Sequence, residues 1–247
     1  MALTTQQIRF FRDTGFLKIP GCISDPNMAE MKRVLAWHVQ NRVEPCRTNA
    51  NGDVVRLDAL ISRDPVFLNV LQAPPLANAL RAILGPNIEL KLNRHNHLAL
   101  NARGDNKYRL HRDVLQWTRG LVTAIIYLEE ATVDNGCTYV VPTSQFLPCA
   151  GVPDNGVACM DEHEVFAELL GQAIPVPMPA GSVLLLDGRV FHSVGENRTH
   201  STRQSICLAL HSVDELSGES ANKTSEIVLG ERAYRGNDSI PALAFKV

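Results

Sequence analysis

Hydrophobic positions in the first third of the chain recur at helical spacing. Residues 4–14 present one apolar face, with a threonine as the N-terminal cap, and Gly15 ends the pattern. A second helix is predicted to start near Pro26, which suits a first helical turn. Its buried stripe comprises Met28, Met31, Val34, Leu35 and Val39. The stretch 57–84 predicts two further helical pieces, interrupted near Pro74.

From residue 88 onward the pattern changes to that of β-strands. Residues 88–93 alternate strictly, and 120–128 is the apolar, β-branched run expected of a central strand. Further strands are predicted at 16–20, 137–141, 174–178, 182–186 and 205–211, with a hairpin-like turn at 179–181. The order of helices followed by strands predicts an α+β chain. Its core is expected to be a double-stranded β-helix, a cupin-like jelly-roll barrel, with the N-terminal helices packed against it.

The length of 247 residues suits one domain of this kind. We expect a mainly helical part at 1–87, a jelly-roll core at 88–213 and a C-terminal tail at 214–247. The segments 143–172 and 214–247 show no regular pattern. Loops at the mouth of a barrel usually select ligands, so we expect both segments to cover the substrate.

Composition narrows the function classes further. The chain has 24 Lys and Arg against 26 Asp and Glu, a formal net charge of −2, which does not favour nucleic acid or an anionic membrane as a partner. The N-terminus lacks a secretory signal pattern. The six cysteines are scattered without a C-x-x-C pair, so free thiols in the cytoplasm are expected. The sequence leaves the oligomeric state open.

The first candidate functional residues are found in the segment His111-Arg112-Asp113. A histidine and a carboxylate one residue apart on a strand point to the same side. His192, in a later strand region, would complete two imidazoles and one carboxylate on one face of a metal. This set is the facial triad of non-haem Fe(II) oxygenases. Arg203 follows eleven residues after His192 and is suited to holding a carboxylate. Taken alone, an arginine in this position is more often a surface residue in a basic turn beside Arg198.

At these residues the chain resembles the phytanoyl-CoA dioxygenase-like family of Fe(II)/2-oxoglutarate-dependent oxygenases, over nearly its whole length. Residues 3–17 are similar to the family's N-terminal helix and Gly-Phe strand, and His111-Arg112-Asp113 matches its H-x-D. Residues 134–145 resemble the family's N-G…P-G-S-H segment, but Thr143 replaces the glycine and Gln145 the histidine. His192 to Asn197, followed by Arg203, matches the distal motif.

The resemblance implies that Fe(II) is bound by His111, Asp113 and His192. It implies that Arg203 binds the distal carboxylate of 2-oxoglutarate, the co-substrate that is used with dioxygen. Further contacts with 2-oxoglutarate are predicted for Thr138, Tyr108 and Ser205. A substrate-lining role is predicted for Trp117, Asn93 and His95; the last two share a strand parity with Glu89, Lys91 and His97. His95 and His97 are not expected to be metal ligands.

The expected activity is oxidation of an unactivated C–H bond of a small molecule, by hydroxylation, desaturation, epoxidation or oxidative cyclisation, with release of succinate and carbon dioxide. Asp113 argues against halogenation, because halogenating relatives carry a small residue there. A natural-product intermediate is the favoured substrate, by analogy with the family. Two alternatives stay open: a metal-dependent cupin-like isomerase or hydrolase without 2-oxoglutarate, and a non-catalytic barrel that binds a ligand.

Overall fold

Helices make up most of the N-terminal third of the chain. A computed structural model describes residues 2–103, 110–114, 120–147, 168, 171–215 and 224–232. Its helices are α1 Thr5–Thr14, α2 Asp25–Gln40, α3 Pro65–Gln72 and α4 Pro74–Leu84, with short 3-10 turns at Leu60–Ser62 and Ser144–Phe146. No helix in these ranges is both long and apolar enough to cross a bilayer.

The first helix shows how local sequence sets an element boundary. Thr4 caps α1 through a capping box with Gln7, which satisfies amide groups that the first turn leaves without partners. Gly15 ends the helix in the left-handed region at φ 82. A Cβ at that position would lie 2.8 Å from the side chain of Val190, so glycine is required both by conformation and by the close approach of this segment.

Twelve strands form two antiparallel sheets in the described ranges. They are β1 Phe16–Ile19, β2 Cys46–Thr48, β3 Val54–Asp58, β4 Ile88–Lys91, β5 Asn96–Asn101, β6 Leu121–Tyr127, β7 Thr138–Val141, β8 Ile174–Val176, β9 Val183–Asp187, β10 Phe191–Val194, β11 Arg203–Ser212 and β12 Ser225–Leu229. The large sheet has the order β1-β9-β6-β11-β5-β3-β2, and β4 joins it by pairing with β11 and β12. The small sheet has the order β10-β7-β8.

The two faces of the large sheet pack in different hydrophobic cores. Leu57, Leu98 and Ile206 lie on one face and pack against the helices in the larger hydrophobic core. Ile125 and Tyr127, on the opposite face, pack with residues of the small sheet in a second core. The space between the sheets therefore receives the side chains of alternate positions on the central strands.

Several elements differ from the sequence-based expectation. The helical stretch does not begin at residue 57, because Val54–Asp58 pairs with β5 as strand β3. The strand predicted at 88–93 ends at Lys91. The turn at 179–181 does not form a hairpin, since β8 pairs with β7 in the small sheet and β9 pairs with β1 and β6 in the large one.

The tail also needs correction, because Ser225–Leu229 is not irregular but pairs with β4 as β12. The predicted α+β fold, with a jelly-roll core and N-terminal helices packed against it, is confirmed. In the described residues this core consists of two facing antiparallel sheets and does not close into a barrel. The break between the two predicted helical pieces falls at Ala73, as predicted, because Pro74 starts α4.

The four cysteines in the described part of the chain are free thiols: Cys22, Cys46, Cys137 and Cys207.

Candidate metal centre

Two histidines face each other across a single β-bridge. His111 and His192 form an isolated antiparallel bridge, with amide-to-carbonyl bonds of 2.9 and 3.0 Å in the two directions. Residues directly opposite in such a pair project to the same face, and the two imidazole rings lie with centroids 4.5 Å apart. The backbone pairing of two distant segments thus brings these two nitrogen donors together.

Asp113 adds a carboxylate to this pair. Its backbone amide donates to the Gly188 carbonyl at 2.8 Å, which holds the segment beside β9. Its Oδ1 lies 3.9 Å from His111 Nε2 and 3.8 Å from His192 Nε2. The three donor atoms all lie within 4.8 Å of one another. Two imidazoles and one carboxylate on one side, with the other side facing a cavity, are a donor set that suits Fe(II).

Hydrogen bonds orient these donors. His192 Nδ1 lies 3.0 Å from the Val190 carbonyl, and because a carbonyl only accepts, Nδ1 carries the proton and Nε2 keeps the lone pair needed for a metal. Thr123 donates its hydroxyl to Asp113 Oδ2 at 2.5 Å. His95 Nε2 lies 2.6 Å from Asp113 Oδ1.

The electrostatics of the cluster keep the acid charged and the imidazole neutral. Burial alone would raise the pKa of Asp113, but the nearby imidazoles of His95 and His192 and the hydrogen bond from His95 outweigh it and hold the pKa below its usual value. Burial lowers the pKa of His192 to about 4, against the attraction of Asp113. A carboxylate and a neutral imidazole are the protonation states in which these groups bind a metal.

The centre opens into a cavity of about 390 Å³ between the two sheets. The cavity is lined by residues of β2, β3, β5, β6, β7, β10 and β11. The pairing register of the strands brings these residues to one surface of the cavity. Arg56, Ala99 and Ser205 lie directly opposite one another across β3, β5 and β11. The next row of the same face holds His97 and Cys207. Every second residue of these strands therefore contributes to one surface.

Arg203 lies deep in this cavity and is only 2% exposed. Its Nη1 donates to Ser205 Oγ at 3.2 Å, and its guanidinium lies 5.9 Å from the centre of the Tyr127 ring. Its Nε is buried and has no hydrogen-bond partner among the described residues. Tyr127 Oη in turn lies 2.7 Å from Thr138 Oγ1. A buried cation with unused donors facing a cavity is suited to a carboxylate ligand.

The residues predicted from sequence fall into three groups. The cavity lining includes His111, His192, Arg203, Thr138, Ser205 and His95, and Asp113 lies buried behind it. Asn93 does not line the cavity; it is exposed in the turn after β4, because that strand ends two residues earlier and the expected parity is lost. Tyr108 and Trp117 lie outside the described residues.

Three further residues at the site were not predicted from the sequence. Thr123 donates a hydrogen bond to the carboxylate of Asp113, and its signal in the sequence was a single threonine between the aliphatic residues of β6. Arg56 lines the cavity from β3, a strand that the sequence did not predict and whose last two residues were expected to begin a helix. His97 lines the cavity with Nδ1 buried and without a partner among the described residues, and burial lowers its pKa to about 3.

The sequence matches the family model described as phytanoyl-CoA dioxygenase (PhyH) over residues 11–205. Two similar proteins are a methylphosphonate hydroxylase of Gimesia maris and an ectoine dioxygenase of Bordetella bronchiseptica. The first is 22% identical over 86% of this chain and 82% of the relative. The second is 24% identical over 86% of this chain and 77% of the relative.

Solved structures share the fold. The epimerase SnoN in complex with Fe3+, alpha ketoglutarate and nogalamycin RO has a TM-score of 0.71 at 19% identity, over 92% of this chain and 96% of SnoN. EctD from S. alaskensis with bound Fe has a TM-score of 0.72 at 20% identity, over 85% of this chain and 77% of EctD. At these identities the likeness concerns the architecture alone.

Proposed function

This chain belongs to the phytanoyl-CoA dioxygenase family, and from that premise we propose that it is a non-haem Fe(II)/2-oxoglutarate-dependent oxygenase acting on a small molecule. The observation that carries the proposal is one cavity that contains both a two-histidine, one-carboxylate face and a buried arginine. A metal site alone would account for the two histidines and the carboxylate. The buried arginine indicates a second site in the same cavity, for the carboxylate of a bound organic acid.

His111, Asp113 and His192 would hold the metal, leaving the cavity side of the site for other ligands. When bound, Fe(II) supplies the dioxygen chemistry that side chains lack. Arg203 would bind the distal carboxylate of 2-oxoglutarate, with Ser205 presenting its hydroxyl beside the same guanidinium. Thr138, which is hydrogen-bonded to Tyr127, would contact the same ligand. The apolar side chains of Ile125 and Val194 would help exclude water from the reacting groups.

The substrate class is inferred from the similar proteins. Similar proteins are named for small molecules, methylphosphonate and ectoine, and similar structures include tailoring enzymes of nogalamycin biosynthesis. We propose a natural-product or other small polar substrate, and a cytoplasmic location in which the free cysteines stay reduced. Hydroxylation, desaturation, epoxidation and cyclisation all fit the same site.

Consumption of 2-oxoglutarate tests the proposal without knowledge of the substrate. Purified enzyme with Fe(II), 2-oxoglutarate and dioxygen is expected to form succinate slowly, and a correct substrate is expected to accelerate this. His192→Ala should abolish succinate formation, whereas His200→Gln, which alters an exposed histidine eight residues away, should not. A substrate converted without any succinate would favour the isomerase instead. Metal binding with neither succinate nor conversion of any substrate would support the non-catalytic barrel.

A further inference from the structure

The turn between β4 and β5 contacts Asp113 through two consecutive residues. Arg94 donates from Nη1 to the Asp113 backbone carbonyl. His95 places Nε2 2.6 Å from Asp113 Oδ1. The turn itself is fixed to the large sheet, because the Ala209 amide donates to the His95 carbonyl at 2.9 Å. This one turn therefore holds both the backbone and the side chain of Asp113.

The conformation of His95 is unusual for a residue that is not glycine. Its φ is 44, in the left-handed region that is disfavoured for most side chains. Such conformations carry a free-energy cost and occur where the surrounding structure requires them, often at functional sites. At this position, in the turn that follows β4, the left-handed backbone accompanies an imidazole that points at the Asp113 carboxylate.

The two oxygens of Asp113 have different neighbours. Oδ2 accepts a hydrogen bond from Thr123. Oδ1 accepts from His95 and is also the oxygen that faces the Nε2 atoms of His111 and His192. A carboxylate oxygen has lone pairs for both a hydrogen bond and a metal. Together the two bonds fix the rotation of the carboxylate about its side-chain torsion.

We propose that His95 is a positioning residue that orients the Asp113 carboxylate for the metal, rather than a substrate contact or a ligand. The proposal rests on the metal site assigned under the proposed function. His95 lines the cavity, as the sequence predicted, but the role proposed here is to orient Asp113 rather than to contact the substrate. Hydrogen-bond partners of metal ligands typically contribute about 10–100-fold to metal affinity. His95 is expected to contribute within this range because the bond is short and Asp113 is buried.

Metal affinity of the apo protein tests this without turnover. Co(II) is titrated against a chromophoric chelator for wild type, H95F, H95Q and H200Q. H95F should weaken Co(II) binding by about 10–100-fold. H95Q carries an amide donor near the position of Nε2 and should recover most of the affinity. H200Q is the control histidine substitution, since His200 is exposed and does not line the cavity, and it should leave Co(II) affinity within about two-fold.

The outcomes separate the possible roles. Unchanged Co(II) affinity in H95F would overturn the proposal, as would failure of H95Q to recover affinity while its thermal melt matches wild type. X-ray absorption should count the same imidazole ligands in wild type and H95Q; loss of one in H95Q would make His95 a ligand and also overturn it. If H95F does not fold, H95A is measured instead, with the same expected loss. Undiminished Co(II) binding in Asp113→Ala would contradict the metal site itself, a separate failure.

Discussion

Replacing Arg203 by glutamine should weaken 2-oxoglutarate binding strongly. The guanidinium is 2% exposed, so solvent screens its charge little. Among the described residues, its one hydrogen bond goes to Ser205, and Nε has no partner. A ligand carboxylate would therefore be the charged partner of a buried cation. Removing one partner of such a pair costs roughly 2–5 kcal/mol, on the order of thirty-fold or more in dissociation constant.

Anaerobic calorimetric titration of the Ni(II)-loaded protein with 2-oxoglutarate measures this effect directly. The loss should fall on 2-oxoglutarate, while Ni(II) affinity stays within about two-fold, because Arg203 bonds none of the three metal ligands. Arg198→Gln is the matched control: this arginine lies five residues earlier, is 59% exposed and pairs with Asp134 on the surface. Equal affinity for 2-oxoglutarate in Arg203→Gln and wild type would remove Arg203 from the site. A loss of equal size in Arg198→Gln would show a non-specific charge effect.

Wild type should form no chlorinated product in chloride buffer, because Asp113 occupies the ligand position; mass spectrometry that finds one would contradict this. His97 has a pKa lowered to about 3 against 6.5 for the free residue. The unfolded state therefore binds more protons, and the stabilisation that is complete above pH 6.5 is lost as pH falls. Urea unfolding at pH 7.5 and 5.5 should show about 1 kcal/mol more loss in wild type than in H97Q, and equal losses would refute the assignment. Arg232→Gln leaves the buried carboxylate of Glu89 without its 2.6 Å partner. Since Arg232 is 33% exposed, we expect about 1–3 kcal/mol lower stability with metal affinity unchanged; unaltered unfolding would show the pair to be neutral.

Sequence reasoning reached the central features because they depend on local pattern. The β-branched run at 121–127 became a fully buried strand, since burial on both faces needs apolar residues at every position. His111, Asp113 and His192 lie together as the motif implied. The motif did not show the reason, which is a backbone bridge between two histidines that are far apart in sequence.

The features that sequence reasoning missed depend on tertiary pairing. Arg56 reached the cavity because β3 pairs with β5, and a short strand before helical turns has no periodicity of its own. The parity argument placed Asn93 and His95 on one strand face, but the chain leaves the strand at residue 92 and adopts a left-handed conformation at His95. Asn93 is therefore exposed, and His95 reaches the cavity from a turn. A continuous alternation in sequence therefore did not guarantee a continuous strand, and the interruption itself brought His95 to Asp113.

The most direct test of the oxygenase assignment is an anaerobic optical titration with Fe(II) and 2-oxoglutarate. The proposed site predicts a weak visible charge-transfer band that requires both additions and saturates at one equivalent of each per chain, as expected for an organic acid chelating the iron in open positions. The band should be absent in Asp113→Ala and should need far more 2-oxoglutarate in Arg203→Gln. Tight Fe(II) binding with no such band at any concentration of 2-oxoglutarate would contradict the assignment.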